Sequence, residues 1–268
     1  MELELQNISK MVGKEMHIAD VSLKLESATL NILLGPTLSG KTSLMRLMAG
    51  LDKPTSGRLL VDGEDVTGLP VQKRNVAMVY QQFINYPNLS VYENIASPLK
   101  IGGASKKEIA AKVDEIAGLL KLGDMLGRQP LELSGGQQQR TALARALAKG
   151  ADLVLLDEPL ANLDYKLREE LREELPRIFS ATGAIFVYAT TEPSEALLLG
   201  GNTAALHQGR IYQFGKTIEV FHRPDNLITA QTFSDPPLNT LPVTKLNERM
   251  LFKSHVEIPV IGTLPQLP

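Results

Sequence analysis

The sequence predicts an α/β fold, in which strands and helices alternate along the chain. Three observations support this prediction. Short apolar segments with strand patterns recur between stretches of helical pattern. One of them, residues 29–34, runs into a glycine-rich stretch, and another, residues 153–156, ends at the carboxylates Asp157 and Glu158. A continuously apolar strand of this kind is typical of a parallel sheet that is buried on both faces.

Periodicity predicts the elements in order. The segments typical of strands are residues 2–5, 21–25, 29–34, 58–62, 153–156 and 184–189. Apolar residues at helical spacing follow Thr42, and residues 92–148 are mainly helical in pattern, with breaks at 102–103 and 129–130. A further helix after Asp164 carries oppositely charged pairs such as Glu169/Arg172, and these pairs predict a face exposed to solvent.

Composition excludes several functions. The 268 residues carry a net charge of −2, so no basic field favours binding to nucleic acid. The absence of cysteine excludes disulfides and is compatible with a reducing compartment. No apolar run reaches the roughly 18 residues of a membrane span, and the acidic first residues are unlike a secretion signal. His17, His207, His222 and His255 show no metal-ligand spacing, so we assign them no chemistry.

The glycine-rich stretch fits the phosphate-binding pattern G-x-x-x-x-G-K-[ST]. Its place between a strand and an amphipathic helix favours a nucleotide site over an ordinary turn with an exposed lysine. Backbone N–H groups at the helix start suit a phosphate, and the lysine reaches its β- and γ-phosphoryl groups. The predicted nucleotide-binding residues are Gly35, Pro36, Thr37, Leu38, Ser39, Gly40, Lys41, Thr42 and Ser43.

The acidic pair after residue 156 predicts the metal and the general base of the same site. Asp157, with the hydroxyl of Thr42, would hold magnesium, and Glu158 would polarise a water molecule for attack on the γ-phosphate. An acidic turn after a strand is common, but downstream of a phosphate loop this pair indicates ATP hydrolysis.

A second helix start with bare backbone donors lies at Leu-Ser-Gly-Gly-Gln, residues 133–137. Ser134 is a typical helix cap, and a capped helix alone would account for the residue types. Because the chain already has one phosphate loop, a second anion-binding helix start suggests that ATP is held between two copies of the fold.

Several further segments complete a family resemblance, namely 79–82, 86–95, 160–164, 209–215, 221–224 and 236–242. With the three motifs above, they make the chain similar over nearly its whole length to the nucleotide-binding subunit of an ATP-binding-cassette transporter. The resemblance is strongest to the import ATPases for sugars and polyols, such as the maltose and glycerol-phosphate systems.

This resemblance implies a P-loop NTPase cassette over residues 1–233, with a mainly parallel core sheet, an antiparallel β subdomain and a helical subdomain at about 84–150. Residues 234–268 would be the beginning of a regulatory β-domain of the oligonucleotide-fold type. The implied cofactors are ATP and Mg²⁺. The implied partners are transmembrane permease subunits, a second ATPase subunit and, indirectly, a solute-binding protein, at the cytoplasmic face of the inner membrane.

The resemblance also assigns residue roles. Gln81 would contact magnesium and the attacking water, and a groove formed by residues 83–101 would receive a short helix of the membrane partner. The residues implied to act on ATP held by the opposite subunit are Ser134, Gly135, Gly136, Gln137 and Asp164.

Two positions depart from the family pattern. Thr191 stands where the family has a histidine that contacts the γ-phosphate, and Val12 stands where an aromatic residue stacks on adenine. We therefore expect this subunit's own site to hydrolyse ATP slowly and to pair with a different ATPase subunit. A symmetric homodimer that works without the histidine, and a non-catalytic regulatory module, are the alternatives.

Overall fold

The structure is a computed structural model that describes residues 1–82, 84–161, 165–180, 182–240, 243–246, 249–252 and 256–258. The chain divides into two compact units, Met1–Phe233 and Ser234–Pro268. In chain order the strands of the first unit are β1 (Glu2–Val12), β2 (Glu15–Glu26), β3 (Leu30–Leu34), β4 (Ser56–Val61), β5 (Glu64–Asp65), β6 (Val76–Val79), β7 (Leu153–Asp157), β8 (Ile185–Thr190), β9 (Asn202–His207) and β10 (Arg210–Lys216). Its helices are α1 (Lys41–Ala49), α2 (Val91–Ile101), α3 (Lys106–Leu119), α4 (Gly135–Ala148), α5 (Tyr165–Ser180), α6 (Pro193–Leu199), α7 (Thr217–His222) and α8 (Leu227–Thr232).

A six-stranded sheet in the order β10-β9-β3-β8-β7-β6 forms the centre of the first unit. The pairs β9–β3, β3–β8, β8–β7 and β7–β6 are all parallel, and only the edge strand β10 runs antiparallel to its neighbour. The predicted α/β fold with a mainly parallel core sheet is therefore confirmed.

The side chains of β7 show how this sheet divides two apolar cores. Leu153 and Leu155 belong to one core, which also contains the buried face of α1. Val154 and Leu156 belong to the other core, with buried residues of α2, α3 and α4. This alternation explains why the strand has no polar position before Asp157.

An antiparallel sheet in the order β2-β1-β4-β5 covers α1 on the side away from the parallel sheet. Its two longest strands form a hairpin in which Met11 pairs with Met16 and Val12 pairs with Glu15. The sheet corresponds to the predicted antiparallel β subdomain, and its hairpin end lies beside the phosphate loop.

Helices α2, α3 and α4 share one N-terminal capping motif. Each begins at a serine whose hydroxyl accepts a backbone N–H three residues later, while the side chain at that later position accepts the N–H of the serine. These capping boxes lie at Ser90, Ser105 and Ser134, and they fix where each helix begins. The breaks predicted at 102–103 and 129–130 both fall between α-helices, and Pro130 begins a short 3-10 helix, Pro130–Glu132.

The described residues of the second unit include three short strands, β11 (Val243–Leu246), β12 (Arg249–Phe252) and β13 (Val256–Ile258). They pair antiparallel in the order β11-β12-β13. Its assignment as the beginning of a regulatory β-domain stays a prediction.

Candidate active site

Four neighbouring parallel strands deliver the predicted site residues to one edge of the core sheet. The phosphate loop follows β3, Thr191 follows β8, Glu158 follows β7, and Gln81 lies two residues after β6. The carboxyl edge of a parallel sheet is where α/β proteins bind their ligands. Motifs that lie more than a hundred residues apart in the sequence are thus brought together.

The phosphate loop is shaped by close backbone approaches. A Cβ atom at Gly35 would lie 2.1 Å from the carbonyl oxygen of Leu206, so only glycine fits there. Gly40 has φ +107° and precedes α1 without any side-chain cap hydrogen bond, so the N–H groups at the start of α1 are not satisfied by a cap. Because such donors attract anions, the loop fits the phosphate groups of a nucleotide.

Lys41 is buried at the start of α1 and held by three oxygens. Its Nζ donates to the carbonyl oxygens of Gly35 at 2.8 Å and Pro36 at 3.1 Å, and it lies 3.5 Å from Glu158 Oε1. Burial lowers the pKa of Lys41, and the charge of Glu158 opposes that shift. The ammonium group is therefore confined to the centre of the site.

The predicted magnesium ligands meet across 115 residues of sequence. Thr42 Oγ1 donates to Asp157 Oδ2 at 2.8 Å. Burial raises the pKa of Asp157, while the Thr42 hydrogen bond and Lys41 lower it. A hydroxyl, a carboxylate and the nearby amide of Gln81 make up an oxygen-rich donor set that fits the preference of Mg²⁺.

Glu158 connects the two halves of the site. Its carboxylate lies against Lys41 on one oxygen and accepts Gln81 Nε2 at 3.0 Å on the other. The residue has φ +46°, and its backbone N–H donates to Ala189 O at 3.0 Å. A non-glycine residue in this left-handed region is strained, and such strain is concentrated at functional sites.

A cavity of about 570 Å³ opens over the phosphate loop. Besides the loop, Gln81 and Glu158, it is lined by five residues without a predicted role: Glu15, Met16, His17, Gln208 and Gly209. Val12, at the end of β1, is half exposed and is not among the lining residues, whereas Met16 across the hairpin is. The role predicted for Val12 at adenine stays a prediction.

Thr191 is exposed directly after β8 and is not among the residues that line this cavity. Its neighbour Thr190, the last residue of β8, accepts hydrogen bonds from two backbone N–H groups. Gly35 N donates to Thr190 O at 3.3 Å, and Glu192 N donates to Thr190 Oγ1 at 3.0 Å. The position is therefore tied to the phosphate loop, while its side chain remains open.

A buried ion-pair cluster holds the segment that carries Thr191. Glu195, only 3% exposed, accepts Thr190 Oγ1 at 2.6 Å and Tyr188 Oη at 3.0 Å. Arg172 of α5 donates to Glu195 at 3.1 Å and to Glu192 at 2.5 Å. The exposed face predicted for α5 is thus wrong at Arg172, which is 9% exposed because the loop after β8 covers it.

Residues 134–137 lie at the start of α4 and are not among the residues that line the cavity of their own chain. Ser134 and Gly135 are exposed, and the predicted serine cap is present. Asp164, predicted to act with them, lies outside the described residues. Within one chain the structure therefore does not join these predicted ATP contacts to the phosphate loop.

A family model described as ABC transporter matches residues 18–161. That span runs from β2 past the acidic pair. The chain belongs to the ABC transporter family.

Relatives of this ABC protein include several import ATP-binding proteins. It is 39% identical over 230 residues to the spermidine/putrescine import ATP-binding protein PotA of Protochlamydia amoebophila, covering 86% of the chain and 62% of PotA. It is 38% identical to the trehalose/maltose import ATP-binding protein MalK of Thermococcus litoralis, covering 89% of the chain and 66% of that protein. It is 37% identical to the maltose/maltodextrin import ATP-binding protein MalK of Escherichia coli K12, covering 96% of the chain and 69% of that protein. The chain thus spans about two thirds of the length of these relatives.

A solved structure with the same fold is a dimeric ATP-binding cassette in a post-hydrolysis state with ADP and Pi. It superposes with a TM-score of 0.71 at 28% identity, covering 80% of this chain and 98% of that one. The predicted family and cassette fold are confirmed, and the chain is an ABC ATPase whose nucleotide is ATP with Mg²⁺. Among the residues that the structure describes, no helix is long and apolar enough to cross a bilayer.

Proposed function

We propose that the chain is the ATP-hydrolysing subunit of an importer for a sugar or a polyol, with glycerol as one candidate solute. It would work as a peripheral subunit at the cytoplasmic face of the inner membrane. The observation that supports hydrolysis is the position of Glu158 between Lys41 and Gln81. The named solutes of the MalK relatives support a sugar, and glycerol rests on the sequence resemblance alone.

The proposed chemistry assigns one task to each residue around Glu158. Lys41 and the loop amides bind the phosphate groups, and Thr42, Asp157 and Gln81 hold the metal, which would neutralise charge on the transferred phosphoryl group. Glu158 accepts a proton from the attacking water as general base. Gln81, hydrogen-bonded to Glu158, orients that water.

The second half of the site comes from another cassette. Ser134 and Gly135 are exposed and do not line the cavity of their own chain, and the solved cassette with this fold is a dimer. We therefore assign residues 134–137 to ATP bound on the opposing subunit. Asp164 is assigned to the seam on the resemblance alone.

A separate groove suits the permease. It has a volume of about 410 Å³, and its walls include Tyr80, Tyr86, Pro98 and the exposed side chains Ile84 and Ile101. Apolar walls of this kind fit the apolar face of a short helix, the mode by which amphipathic helices dock in grooves.

The cationic rim of the same groove is supplied by α4. The guanidinium of Arg145 lies 4.7 Å from the centre of the Tyr86 ring and hydrogen-bonds the carbonyl oxygen of Ile84. These contacts hold two walls of the groove together. The occupant we assign is a helix of the transmembrane permease subunit that lies at the membrane surface.

The substitution at Thr191 supports an asymmetric pair. A threonine hydroxyl has neither the reach nor the charge of an imidazole, so the site on this subunit would turn over slowly. Its residues 134–137 would complete a faster site on a different ATPase subunit. ATP-driven closure of the two cassettes would then move the permease between its inward-open and outward-open states.

The ATPase rate of the purified chain tests this asymmetry. We expect slow turnover in the wild-type chain and faster turnover in Thr191→His. A wild-type rate typical of importer ATPases, unchanged by Thr191→His, would instead support a symmetric homodimer. Mass spectrometry of the intact complex would identify the partner subunits and their stoichiometry together.

A non-catalytic regulatory module is the second candidate, and Thr191 is the observation that favours it. The retained Glu158 and its contact to Gln81 oppose it, because a protein that only binds ATP has no use for a general base. Purification without any membrane subunit, together with ATP binding and no turnover in any assembly, would support the regulatory module.

A further inference from the structure

His17 lies at the start of β2 with its backbone fixed against the nucleotide site. A Cβ atom at Gly209 would lie 2.5 Å from the carbonyl oxygen of His17, and one at Gly40 would lie 3.0 Å from it. Gly209 N donates to Ser39 O at 2.8 Å, and Ala19 N donates to Gly209 O at 2.9 Å. The strand that carries His17 is therefore joined to the phosphate loop through Gly209.

The imidazole of His17 faces the same cavity as the phosphate loop. Its Nδ1 lies 3.5 Å from Ser43 Oγ, and its Nε2 lies 3.9 Å from Glu15 Oε2. The side chain is 37% exposed, so one part of the ring contacts protein and the rest is open to the cavity. A neutral imidazole offers one donor and one acceptor to a ligand there.

The contacts within the cavity separate two ends. Lys41, Glu158 and Gln81 contact one another, and this cluster is the end assigned to the metal and the γ-phosphate. His17 instead contacts Ser43, two residues further along α1, and Glu15 of the hairpin. The imidazole thus lies at the end left for the nucleoside part of ATP.

We propose that His17 is a nucleotide-binding residue that hydrogen-bonds the ribose of ATP. It supplies a polar contact from the hairpin, at a site whose lining includes no Phe, Tyr or Trp side chain among the described residues. The ligand is a nucleoside di- or triphosphate, because the contact lies on the nucleoside side of the phosphate chain.

Calorimetric binding of ATP, ADP and inorganic tripolyphosphate separates this role from a structural one. His17→Ala is expected to weaken ATP and ADP about two- to tenfold, the range of one net hydrogen bond, and to leave tripolyphosphate unchanged. His17→Gln keeps a donor and an acceptor and is expected to recover most of the loss. His222→Ala, at the exposed end of α7, is the matched control and is expected to change nothing.

Two results would overturn the assignment. The first is unchanged ATP affinity in His17→Ala, which would leave the nucleotide site intact and remove His17 from it. The second is an equal loss of ATP and tripolyphosphate in both His17 variants, which would show that His17 acts only through the shape of the phosphate loop. If the wild-type chain itself failed to bind ATP, the whole site would be refuted along with this role.

Discussion

At the scale of single residues, Glu158 combines a strained backbone with a fully engaged carboxylate. Its φ of +46° costs on the order of 1 kcal/mol, and the hydrogen bond from its N–H to Ala189 O offsets part of that cost. In this conformation the carboxylate contacts Lys41 on one oxygen and Gln81 on the other. A residue held in this way is prepared for its role before substrate arrives.

Glu158→Gln keeps the size of the side chain and removes its basicity. We expect ATP hydrolysis at this chain's own site to fall by about 10²- to 10⁴-fold, the usual contribution of a general base. ATP affinity should change little, because Lys41 and the loop amides remain. Single-turnover hydrolysis and equilibrium ATP binding measure the two quantities, and a variant that hydrolyses at the wild-type rate would contradict the role.

Arg172 is the residue whose environment differs most from its sequence prediction. Arg172→Met should lower the free energy of unfolding by about 3–5 kcal/mol, because the Glu195 carboxylate would stay buried without its cation. In Arg172→Met/Glu195→Gln the loss should be clearly smaller than the sum of the two single losses. Urea unfolding of the four proteins measures this coupling, and strictly additive losses would show that the pair does not interact.

At the scale of elements, α1 is closed at its end by a local ion pair. Arg46 Nε donates to Asp52 Oδ2 at 2.7 Å and Nη2 donates to Oδ1 at 3.0 Å, while Leu51 N and Asp52 N both donate to Arg46 O. The hydrogen bonds from Arg46 lower the pKa of Asp52 below its usual 3.8. The chain therefore leaves the helix in a fixed direction after Gly50.

This pair gives a pH-dependent prediction. Because the pKa of Asp52 is lower in the folded than in the unfolded state, its stabilisation is fully present above pH 3.8 and is lost as pH falls through the folded-state pKa. Asp52→Asn should therefore cost up to about 1 kcal/mol at pH 7 and progressively less below pH 3.8. Urea unfolding at several pH values checks the trend, and a cost independent of pH would exclude the carboxylate charge as its source.

Elements with a strong local pattern were predictable from the sequence. The phosphate loop, the buried strand β7 and the serine cap of α4 follow from residue types within a few positions of one another. The contacts of His17 with Ser43 and of Arg172 with Glu195 were not predictable, because these partners are 26 and 23 residues apart in the sequence and periodicity reports only the faces of one element. Ion pairs within α5 suggested a solvated face, while the segment that covers it comes after β8.

At the scale of the whole molecule, the proposed asymmetry predicts unequal effects of two disruptive changes. Ser134→Arg should abolish the ATPase of the assembled importer, because it blocks the faster site on the partner subunit. Lys41→Ala should reduce it by a smaller factor, because it removes only this chain's slow site. Ser105→Arg is the matched control, since Ser105 begins α3 with the same exposed capping box. Equal losses from Ser134→Arg and Lys41→Ala would indicate a symmetric pair.

The docking groove can be tested apart from the nucleotide site. Ile101→Asp places a charge on an apolar wall that is 86% exposed, and we expect the chain to separate from its permease while its ATP affinity stays unchanged. Leu198→Asp, on α6 and outside the groove, is a control of the same type and should leave the complex intact. Pull-down with the membrane subunits and nucleotide binding are the two measurements. If the complex with the permease still forms with Ile101→Asp, the permease docks at another surface.

The position of β3 in the core sheet has a consequence for folding of the chain during its synthesis. This early strand finds both of its neighbours, Ile185–Thr190 and Asn202–His207, only in the last third of the chain. A ribosome therefore releases the glycine-rich loop long before the walls that shape it exist, and pairings of such long range form slowly. ATP binding therefore requires that residue 209 has left the ribosome. A nascent chain that stalls earlier contains the phosphate-binding motif but lacks the affinity for ATP of the folded site.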